Sequence, residues 1–593
     1  MSYFQGGLRS KRKDGFILNQ VSEVGGGAEK YEYRKDSKQS GVGWLVCVLL
    51  ASLPWLVSTH SDPWTTFYNE FLMVVVVLPW VGWCFWTSAQ PWLITRQVLF
   101  VSCVSFIPIY QSVFGILLFS SEAVLSIAYI LAFAIAISLG QRSQSIQPFK
   151  VVDYLFFSLI IASMLSTGLA LYQWFALEGL GVLVPSGAVG GGRAVAHIGQ
   201  PNNLSTLLAW GCAGFWWASS RRYIGVGAAS LGIAFLLLGI VLTGSRTGCL
   251  QIAFLAGAAL IWAQSRHLWR KVILLILLGG WFVLLLGFKP IVSEILFGAS
   301  GRAVFSAGVR PIFWAMAIEG ILDKPLLGYG WNQVILVHVS LADKYSGIKE
   351  IMGHAHNLFL DLLLWNGVLL GVVLVVAILW WLVRQVFSAA TELHRVVLVV
   401  IGIFFIHAML ELPHLYLFFI LPMGLFVGVA SVLGNDKVVA VLPRYLLVVA
   451  GLLLSVLLAI VFREYRGVEQ ELNARRLLAA HISGAGAHVF PEAVMLNSLQ
   501  VSLNSLDAVP KRNMPRQELE RMHRAVLRYP TIGGLFRYAQ ASALNDRGSE
   551  STWAMRLICD LNPTGICDAA IKDWNILALQ RYPEMSSVVL PKM

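Results

Sequence analysis

The chain has 593 residues, of which 57% are hydrophobic and only 13% are charged, and its mean hydropathy is +0.70. This composition excludes an ordinary soluble globular protein and predicts a polytopic membrane protein. A formal net charge of +12 would favour a nucleic-acid partner in a soluble protein. Here the basic residues stand mostly in short segments between apolar stretches, which membrane topology explains better, so we expect no nucleic-acid partner.

Residues 1–40 are polar and basic and contain no apolar segment, which predicts a cytoplasmic N-terminal segment without a cleavable signal peptide. From 41 to 462, apolar stretches long enough to cross a bilayer follow at short intervals, and they predict about 13 transmembrane helices (12–14). The candidate spans lie near 42–58, 70–88, 97–116, 122–140, 151–176, 203–219, 223–243, 247–264, 271–288, 356–383, 395–412, 414–434 and 444–462. The third is the weakest, because Pro108 and Gln111 interrupt it.

The loops between these spans alternate in charge. The turns near 59–69, 117–121 and 411–414 contain no Lys or Arg. The loops on the other side contain most of the basic residues, namely Arg96, Arg142, Lys150, Arg221, Arg222, Arg266, Arg270, Lys271, Arg384, Arg395, Lys437 and Arg444. Because basic loops stay in the cytoplasm, the pattern places the long segment 289–355 and the C-terminal residues 463–593 on the outer side.

The segment 289–355 is the longest polar break in the apolar part of the chain, and it ends in Gly353-His354-Ala355-His356-Asn357. Within it, residues 311–322 have apolar side chains at helical spacing, which predicts an amphipathic helix at the membrane surface. Two imidazoles and an amide at the start of an apolar helix are costly at a bilayer edge, so this is our candidate reaction centre. Position alone leaves open that His354 and His356 are interfacial residues that top a span.

Three arginines stand on the predicted outer side: Arg193 after a run of glycines, Arg246 between two spans, and Arg310 before Pro311. A guanidinium stays charged and its donors match phosphate oxygens, so Arg246 and Arg310 beside an imidazole would suit a pyrophosphate leaving group and a general base. The alternatives are that Arg246 snorkels at a helix end and that Arg310 pairs with a carboxylate such as Glu319. The Gly-rich loop lacks a P-loop Lys and favours a flexible lid.

We expect neither a metal nor a cofactor, because no acidic or Cys cluster completes a coordination set around the two histidines, and no Walker motif or serine-hydrolase elbow occurs.

From Arg463 the composition becomes that of a soluble domain. Leu519, Met522 and Val526 follow a helical period, and the dipeptides Tyr529-Pro530 and Asn562-Pro563 lie about 33 residues apart, near the period of tetratricopeptide repeats. These features predict a helical, degenerate TPR-like domain over 463–593. Cys559 and Cys567 lie within it, where a disulfide is possible if the region is extracytoplasmic.

Several motifs together resemble the O-antigen ligase and polymerase superfamily. They are His356-Asn357 followed by Gly367, Ser245-Arg246-Thr247-Gly248, and Arg310 and Trp314 followed by Pro325 and Gly328-Tyr329-Gly330. One departure is Leu370, where the signature often has Gly, Thr or Tyr. Further stretches resemble the bacterial protein O-oligosaccharyltransferases, or pilin glycosylation ligases of the PglL type. They are Pro63 to Glu70, Gln200-Pro201-Asn202-Asn203, His407 to Phe418, Arg528-Tyr529-Pro530 and Tyr538-Ala539.

The resemblance implies a metal-independent, inverting glycosyltransferase in the bacterial inner membrane, with its loop 289–355 and C-terminal domain in the periplasm. The donor would be a glycan on undecaprenyl pyrophosphate, and the acceptor a Ser or Thr hydroxyl of a pilin-like periplasmic protein. His356 would be the catalytic histidine, while Arg246 and Arg310 would hold the pyrophosphate. The other expected substrate-binding residues are Arg193, Gln200, Asn203, Asn357, His354, Tyr68, His407 and Glu411.

Three other functions stay open at this point. An O-antigen ligase would share the reaction centre but transfer the glycan to lipid A-core, and an O-antigen polymerase would transfer it to another sugar. A transporter for the lipid-linked glycan would use the arginines to line a path. Transporters often contain paired broken helices in internal repeats, and we find no such repeat in the sequence. The family motifs favour an enzyme.

Overall fold

A computed structural model of the chain describes residues 41–86, 92–179, 181, 190–262, 268–298, 308–346, 348, 350–482 and 492–591. The predicted N-terminal segment 1–40 lies outside these residues. The segment from Leu45 onward forms one structural unit, and the site and the C-terminal helices all belong to it.

The described residues are largely helical, as predicted. The helices before the long loop are α1 Gly41–Ser52, α2 Phe67–Trp86, α3 Arg96–Val104, α4 Phe106–Val113, α5 Ser120–Ile146, α6 Lys150–Trp174, α7 Pro201–Ser220, α8 Val226–Thr243, α9 Arg246–Ile261 and α10 Leu268–Phe297. The loop contains α11 Arg310–Asp323 and α12 Ile335–Ser340, and the helices that follow are α13 Leu358–Phe387, α14 Glu392–Ala408, α15 Leu417–Leu433 and α16 Arg444–Ala479. The C-terminal helices are α17 Asn497–Asp507, α18 Arg516–Arg528, α19 Ile532–Ala543, α20 Gly548–Leu561 and α21 Thr564–Gln580.

Within the described residues, six helices are long and apolar enough to cross a membrane by length and composition: α5, α6, α8, α10, α13 and the Val448–Ala479 part of α16. Four shorter apolar helical segments are Val42–Trp55, Phe67–Trp80, Arg246–Ile261 and Leu417–Leu433. A multi-pass membrane protein is therefore confirmed, whereas the count of 13 spans stays a prediction.

The third predicted span, 97–116, is not one helix but two, α3 and α4, which meet at Ser105. Pro108 lies in the first turn of α4, where a backbone N–H has no partner inside the helix. Gln111 is fully buried; its amide donates to the Trp365 carbonyl at 2.8 Å and accepts from the Trp331 N–H at 2.8 Å. The polar residue that interrupts this span thus connects α4 to α13.

The all-α prediction omits a short antiparallel ribbon. Strand β1, Trp92–Thr95, pairs with β2, Val438–Leu442, and Trp92 lies opposite Leu442. The pairing joins segments that are distant in the chain, and apolar runs this short cannot be distinguished from the ends of spans by pattern alone. Both strands lie in loops that the charge pattern predicts on the cytoplasmic side.

Close helix packing fixes α15 against α5 in the main core. A Cβ atom on Gly140 would lie 2.2 Å from the Leu425 carbonyl oxygen, and one on Gly428 would lie 2.1 Å from that of Ile137. Small residues at such crossings let two backbones approach. The contact sets the position of the turn at 409–416, which precedes α15.

The C-terminal helices pack one after another around a second core, in which Trp574, Tyr538 and Met555 are fully buried. Helix α16 runs through the predicted domain boundary at 462/463 without a break. Cys559 and Cys567 form a disulfide that joins α20 to α21. The TPR-like repeat stays a prediction.

The long loop contacts both parts of the chain. Ile335 and Val339 of α12 belong to the C-terminal core, so this short helix of the loop is part of the domain that follows the spans. The same domain reaches α5 through an ion pair, in which Arg528 Nε lies 2.7 Å from Glu122 Oε1. The non-helical part of the loop begins only at Gly298, because α10 continues past Lys289 and Pro290.

The turn 325–330, near the middle of the long loop, is hydrogen-bonded to α13 at a break in that helix. Gly367 has φ 75° and ψ 175°, a conformation that essentially only glycine adopts. The break frees the Leu364 carbonyl to accept from the Tyr329 N–H at 2.7 Å, and the Val368 N–H to donate to the Pro325 carbonyl at 2.7 Å. The turn 325–330 is thereby docked on the helix that follows His356.

We expect Gly367→Ala to destabilise the protein by at least about 3 kcal/mol, because the backbone conformation is forbidden to alanine. The added Cβ would also lie 2.3 Å from the Leu326 carbonyl oxygen. Thermal unfolding of the detergent-solubilised protein measures the change. Gly279→Ala in α10, where a Cβ meets nothing within 4 Å, is the matched control and should be neutral or slightly stabilising. Equal melting temperatures for the two variants would contradict the docking role of the break.

Candidate active site

His356 lies in an irregular segment between the long loop and α13, which begins at Leu358 rather than at His356 as predicted. Its backbone is left-handed, with φ 53°. Asn357 caps the helix, because its Oδ1 accepts from the N–H groups of Phe359 at 3.0 Å and Leu360 at 3.2 Å. The Asn357 Nδ2 group donates to the Met409 carbonyl at 3.1 Å, so this amide joins the segment to the turn after α14.

The His356 ring is held on two sides. It stacks on Phe313 of α11, with ring centroids 6.0 Å apart and planes inclined by 20°. Its Nδ1 lies 3.0 Å from Glu411 Oε2, in the turn after α14. Within the described residues Nε2 makes no hydrogen bond, and the side chain is 28% exposed. One ring nitrogen is therefore oriented by a carboxylate while the other is available.

Glu411 is the centre of this arrangement. Its Oε1 accepts from the Asn202 side-chain amide at 2.9 Å and from the guanidinium of Arg310. The carboxylate is only 12% exposed. Burial alone would raise the pKa of Glu411, but the hydrogen bond from His356 and the neighbouring guanidinium of Arg310 outweigh it, so its pKa is lowered from the usual value. Glu411 is therefore ionised at neutral pH.

Arg310 pairs with Glu411 and not with Glu319, which was the alternative. Glu319 pairs instead with Lys344, at 2.6 Å. Arg310 is the first residue of α11, and the same helix provides the Phe313 ring beneath His356. The predicted amphipathic helix thus positions two parts of the site.

Asn202 extends the network to the junction between α8 and α9. Its Oδ1 accepts from Ser245 Oγ at 2.7 Å and from Arg193 Nη2 at 3.3 Å. Ser245 also caps α9, since its Oγ accepts from the Gly248 N–H at 3.0 Å. Arg246 follows as the first residue of that helix and is half-buried.

Basic side chains surround this junction. Arg193 Nε donates to the Thr243 carbonyl at 2.9 Å, and Lys289 Nζ donates to the Leu242 carbonyl at 3.1 Å. Gly244 lies between them with φ 58°, and a Cβ there would be 3.4 Å from Lys289 Nζ and 3.5 Å from Arg193 Cγ. We refer to Arg193, Arg246 and Lys289 as the junction cations. Lys289 begins the predicted outer segment 289–355 but is not among the predicted site residues.

Three predicted substrate-binding residues have structural partners away from His356. Gln200 caps α7, where its side chain accepts from the Asn203 N–H at 2.7 Å. Asn203 is buried, and its side chain bonds the Tyr416 hydroxyl. Tyr68 donates to Glu469 Oε2 at 2.6 Å, which joins α2 to α16. The structure places these residues around the site's supporting helices.

The other two predicted site histidines, His354 and His407, make no hydrogen bond to His356 within the described residues. His407 is fully buried one turn before Glu411, and its Nδ1 bonds Thr206 Oγ1 at 2.8 Å. Burial lowers the pKa of His354 to about 4, so this imidazole is neutral at neutral pH and unsuited to bind an anion by charge. His354 instead lines a cavity of about 960 Å³.

This cavity lies beside the segment that contains His356. It is bordered by His354 and Leu358, which precede and follow that residue, and by His414 and Tyr416 of the turn after α14. Its walls are mostly apolar and extend along α5 from Glu122 to Ile137, about 22 Å at the rise of a helix. An apolar volume of this length adjoins the candidate base.

Asn202 and Ser245 are further residues of the site; both lie within the sequence motifs but are not among the predicted site residues. A signal was present for Asn202, because a helical period places it on one face of α7 with the polar residues Ser205 and Thr206. Ser245 stands at the cap position of α9, a position typical of serine. The local pattern therefore explains the serine without indicating its hydrogen bond to Asn202.

Comparison with known proteins gives two kinds of similarity. Residues 231–375 match the family described as O-antigen ligase, a stretch that contains Arg246, Arg310 and His356. A protein of Acinetobacter baylyi named general O-oligosaccharyltransferase is 28% identical over 523 residues, which cover 84% of this chain and 89% of the relative. A second protein of that organism, named ComP-specific O-oligosaccharyltransferase, is 24% identical over 343 residues, which cover 57% of this chain and 62% of the relative.

The two similarities agree with the motifs in the sequence. The first relative matches far beyond the O-antigen ligase segment, so the likeness also includes parts of the chain on both sides of it. The chain is therefore similar to the O-antigen ligase family over residues 231–375 and, over most of its length, to a bacterial O-oligosaccharyltransferase.

Proposed function

We propose that this protein is an O-linked oligosaccharyltransferase that moves a glycan from undecaprenyl pyrophosphate to Ser or Thr hydroxyls of periplasmic proteins such as pilin. The observation that carries the proposal is the His356–Glu411 pair. One imidazole nitrogen is fixed by an ionised carboxylate and the other is open, next to a junction rich in basic side chains. O-linked glycan transfer is the activity in the names of both relatives.

In the proposed reaction His356 is the general base. Nδ1 donates to Glu411, so the lone pair is on Nε2, which takes the proton of the acceptor hydroxyl. The acceptor oxygen then bonds to the anomeric carbon of the glycan while the bond from that carbon to the pyrophosphate oxygen breaks. Glu411 stabilises the imidazolium that forms, because it stays ionised beside it.

Cations stabilise the leaving group. Undecaprenyl pyrophosphate departs with its negative charge and needs no proton if positive groups surround its oxygens. Arg310 and the junction cations, four basic side chains in all, are the groups that we assign to this task. Arg310 is already bonded to Glu411, so it links the charge of the leaving group to the orientation of the base.

The remaining parts of the structure suit the proposed substrates. The apolar cavity beside the segment of His356 has room for hydrocarbon near the reacting groups. The Cys559–Cys567 disulfide favours an oxidising compartment such as the periplasm for the C-terminal domain. This domain packs on α12 of the loop and is our candidate for docking the acceptor protein.

The test uses cells that lack any endogenous ligase and contain a lipid-linked glycan, a pilin and lipid A-core. They receive the wild-type protein or His356→Ala. We expect glycosylated pilin with the wild type only, since the variant lacks the base. Equal amounts of glycosylated pilin from His356→Ala and wild type would show that His356 is not the base.

The same cells distinguish the proposed function from a second candidate, that of an O-antigen ligase. An O-antigen ligase is favoured by the match of residues 231–375 to the family of that description. It would modify lipid A-core and leave the pilin bare, and a polymerase would lengthen the lipid-linked glycan.

We expect Glu411→Gln to lower kcat about a hundredfold, because an uncharged amide cannot stabilise the imidazolium. Initial rates of glycan transfer with purified protein measure the effect. Glu319→Gln is the matched control; it removes a half-buried carboxylate that pairs with Lys344 instead of His356, and it should leave the rate within about twofold of wild type. A Glu411→Gln protein as active as this control would exclude the carboxylate from catalysis.

Arg246→Lys should impair transfer about tenfold or more although the charge is kept, because an ammonium is a point donor and cannot replace the guanidinium fork on phosphate oxygens. Titration with lipid-linked donor should assign the loss to donor binding or to kcat, with His356→Ala as the comparison that retains binding. Wild-type turnover in Arg246→Lys would argue against a direct phosphate contact.

A further inference from the structure

Ala355, the residue before His356, has both of its peptide groups held by side chains from different helices. The Ala355 N–H donates to Asp361 Oδ1 at 2.8 Å. The Ala355 carbonyl accepts from Trp314 Nε1 of α11 at 3.0 Å. Ala355 itself is fully buried. The orientation of this residue therefore depends on one side chain of α13 and one of α11.

These two bonds act on a conformation that needs support. His356 is left-handed at φ 53°, which is uncommon for a residue with a Cβ and persists where the surroundings fix it. The peptide that links Ala355 to His356 determines the direction in which the imidazole leaves the backbone. A change at Ala355 would move the ring relative to Glu411 without touching either side chain.

A buried aspartate is unusual at a position where it would only accept one backbone hydrogen bond. The residue is fully buried one turn into α13, and burying a carboxylate is costly unless partners compensate it. His414 Nε2 lies 3.4 Å from Asp361 Oδ2, without a hydrogen bond between them. His414 belongs to the same turn as Glu411, so Asp361 lies close to that turn.

We propose that Asp361 is a positioning residue for the reaction: by accepting from the Ala355 N–H it fixes the backbone that leads into the left-handed residue His356. Asp361 does not contact the substrate. The inference rests on the proposed role of His356 as the base. It adds a second carboxylate, which acts on the backbone of His356 as Glu411 acts on its ring.

The kinetic test compares Asp361→Ala with Asp361→Asn. The amide of Asn keeps an acceptor for the Ala355 N–H, so it should restore function that alanine loses. We expect Asp361→Ala to lower kcat about tenfold to a hundredfold, as for small displacements of a catalytic group, with the donor KM within about twofold of wild type. Asp361→Asn should retain kcat within about threefold of wild type.

Asp153→Ala is the matched control for the loss of a partly buried carboxylate. Asp153 accepts from Trp217 Nε1 at 2.7 Å and from the Tyr223 hydroxyl at 2.8 Å, far from Ala355 in the chain. Its kcat should equal that of wild type. A donor KM that rises together with the fall in kcat in Asp361→Ala, or an Asn variant as poor as the Ala variant, would overturn the proposal.

A second measurement keeps the inference separate from the proposed activity. Hydrogen exchange of the peptide that covers 352–357 should be faster in Asp361→Ala than in wild type and unchanged in Asp361→Asn. Trp314→Phe, which removes only the bond to the Ala355 carbonyl, should accelerate the same peptide and lower kcat in the same way. If the wild type transfers no glycan, the proposed function fails while the exchange rates still decide the role of Asp361. Unchanged exchange in both Asp361→Ala and Trp314→Phe would contradict it.

Discussion

The buried carboxylate of Glu411 is the interaction on which the rest of the site depends. It is bonded by His356, Arg310 and Asn202, which come from three segments far apart in the chain. A buried charge costs several kcal/mol unless hydrogen bonds and opposite charges compensate it, and removing one partner leaves that cost exposed. The three segments are therefore held together by the same contact that orients the imidazole. Fold stability and catalytic geometry are coupled at one residue.

Backbone conformations that most residues avoid support this contact from the other side. His356 is left-handed, and eleven positions later Gly367 breaks α13 in a conformation restricted to glycine. The first presents the imidazole, and the second binds the returning loop to the same helix through the turn 325–330. Such conformations are stable only where the surrounding structure fixes them, so they mark the part of the chain in which geometry matters most.

The C-terminal domain is physically continuous with the segment of His356. Helix α12 contributes Ile335 and Val339 to the core of that domain, while its His338 accepts from the Met352 N–H at 2.9 Å. Burial lowers the pKa of His338 to about 4, so this acceptor is neutral at neutral pH and the bond is retained. An acceptor protein bound to the domain would therefore lie on a structure that is directly bonded to the reaction centre.

Composition and motifs identified the class of the protein and the candidate residues of its site. Long apolar stretches predict membrane helices, and charged or imidazole side chains at their ends are costly, so His356, Arg246 and Arg310 stood out as candidates, to which the family resemblance assigned roles. Gly367 was recognised as part of a motif, but the sequence did not show that a glycine is needed there to break α13. These are local properties, carried by composition, spacing and single residue types.

The partners of these residues depend on tertiary packing. The sequence suggested Glu319 as a carboxylate for Arg310, whereas the packing of α11 beside the turn 409–416 pairs Arg310 with Glu411. Packing likewise places Lys289 and Arg193 on either side of Gly244. It also gives Tyr68 and His407 other partners than His356, namely Glu469 and Thr206. The ribbon of β1 and β2 also escaped prediction. In each case the deciding contact joins segments distant in the chain, and no local pattern specifies how such segments pack.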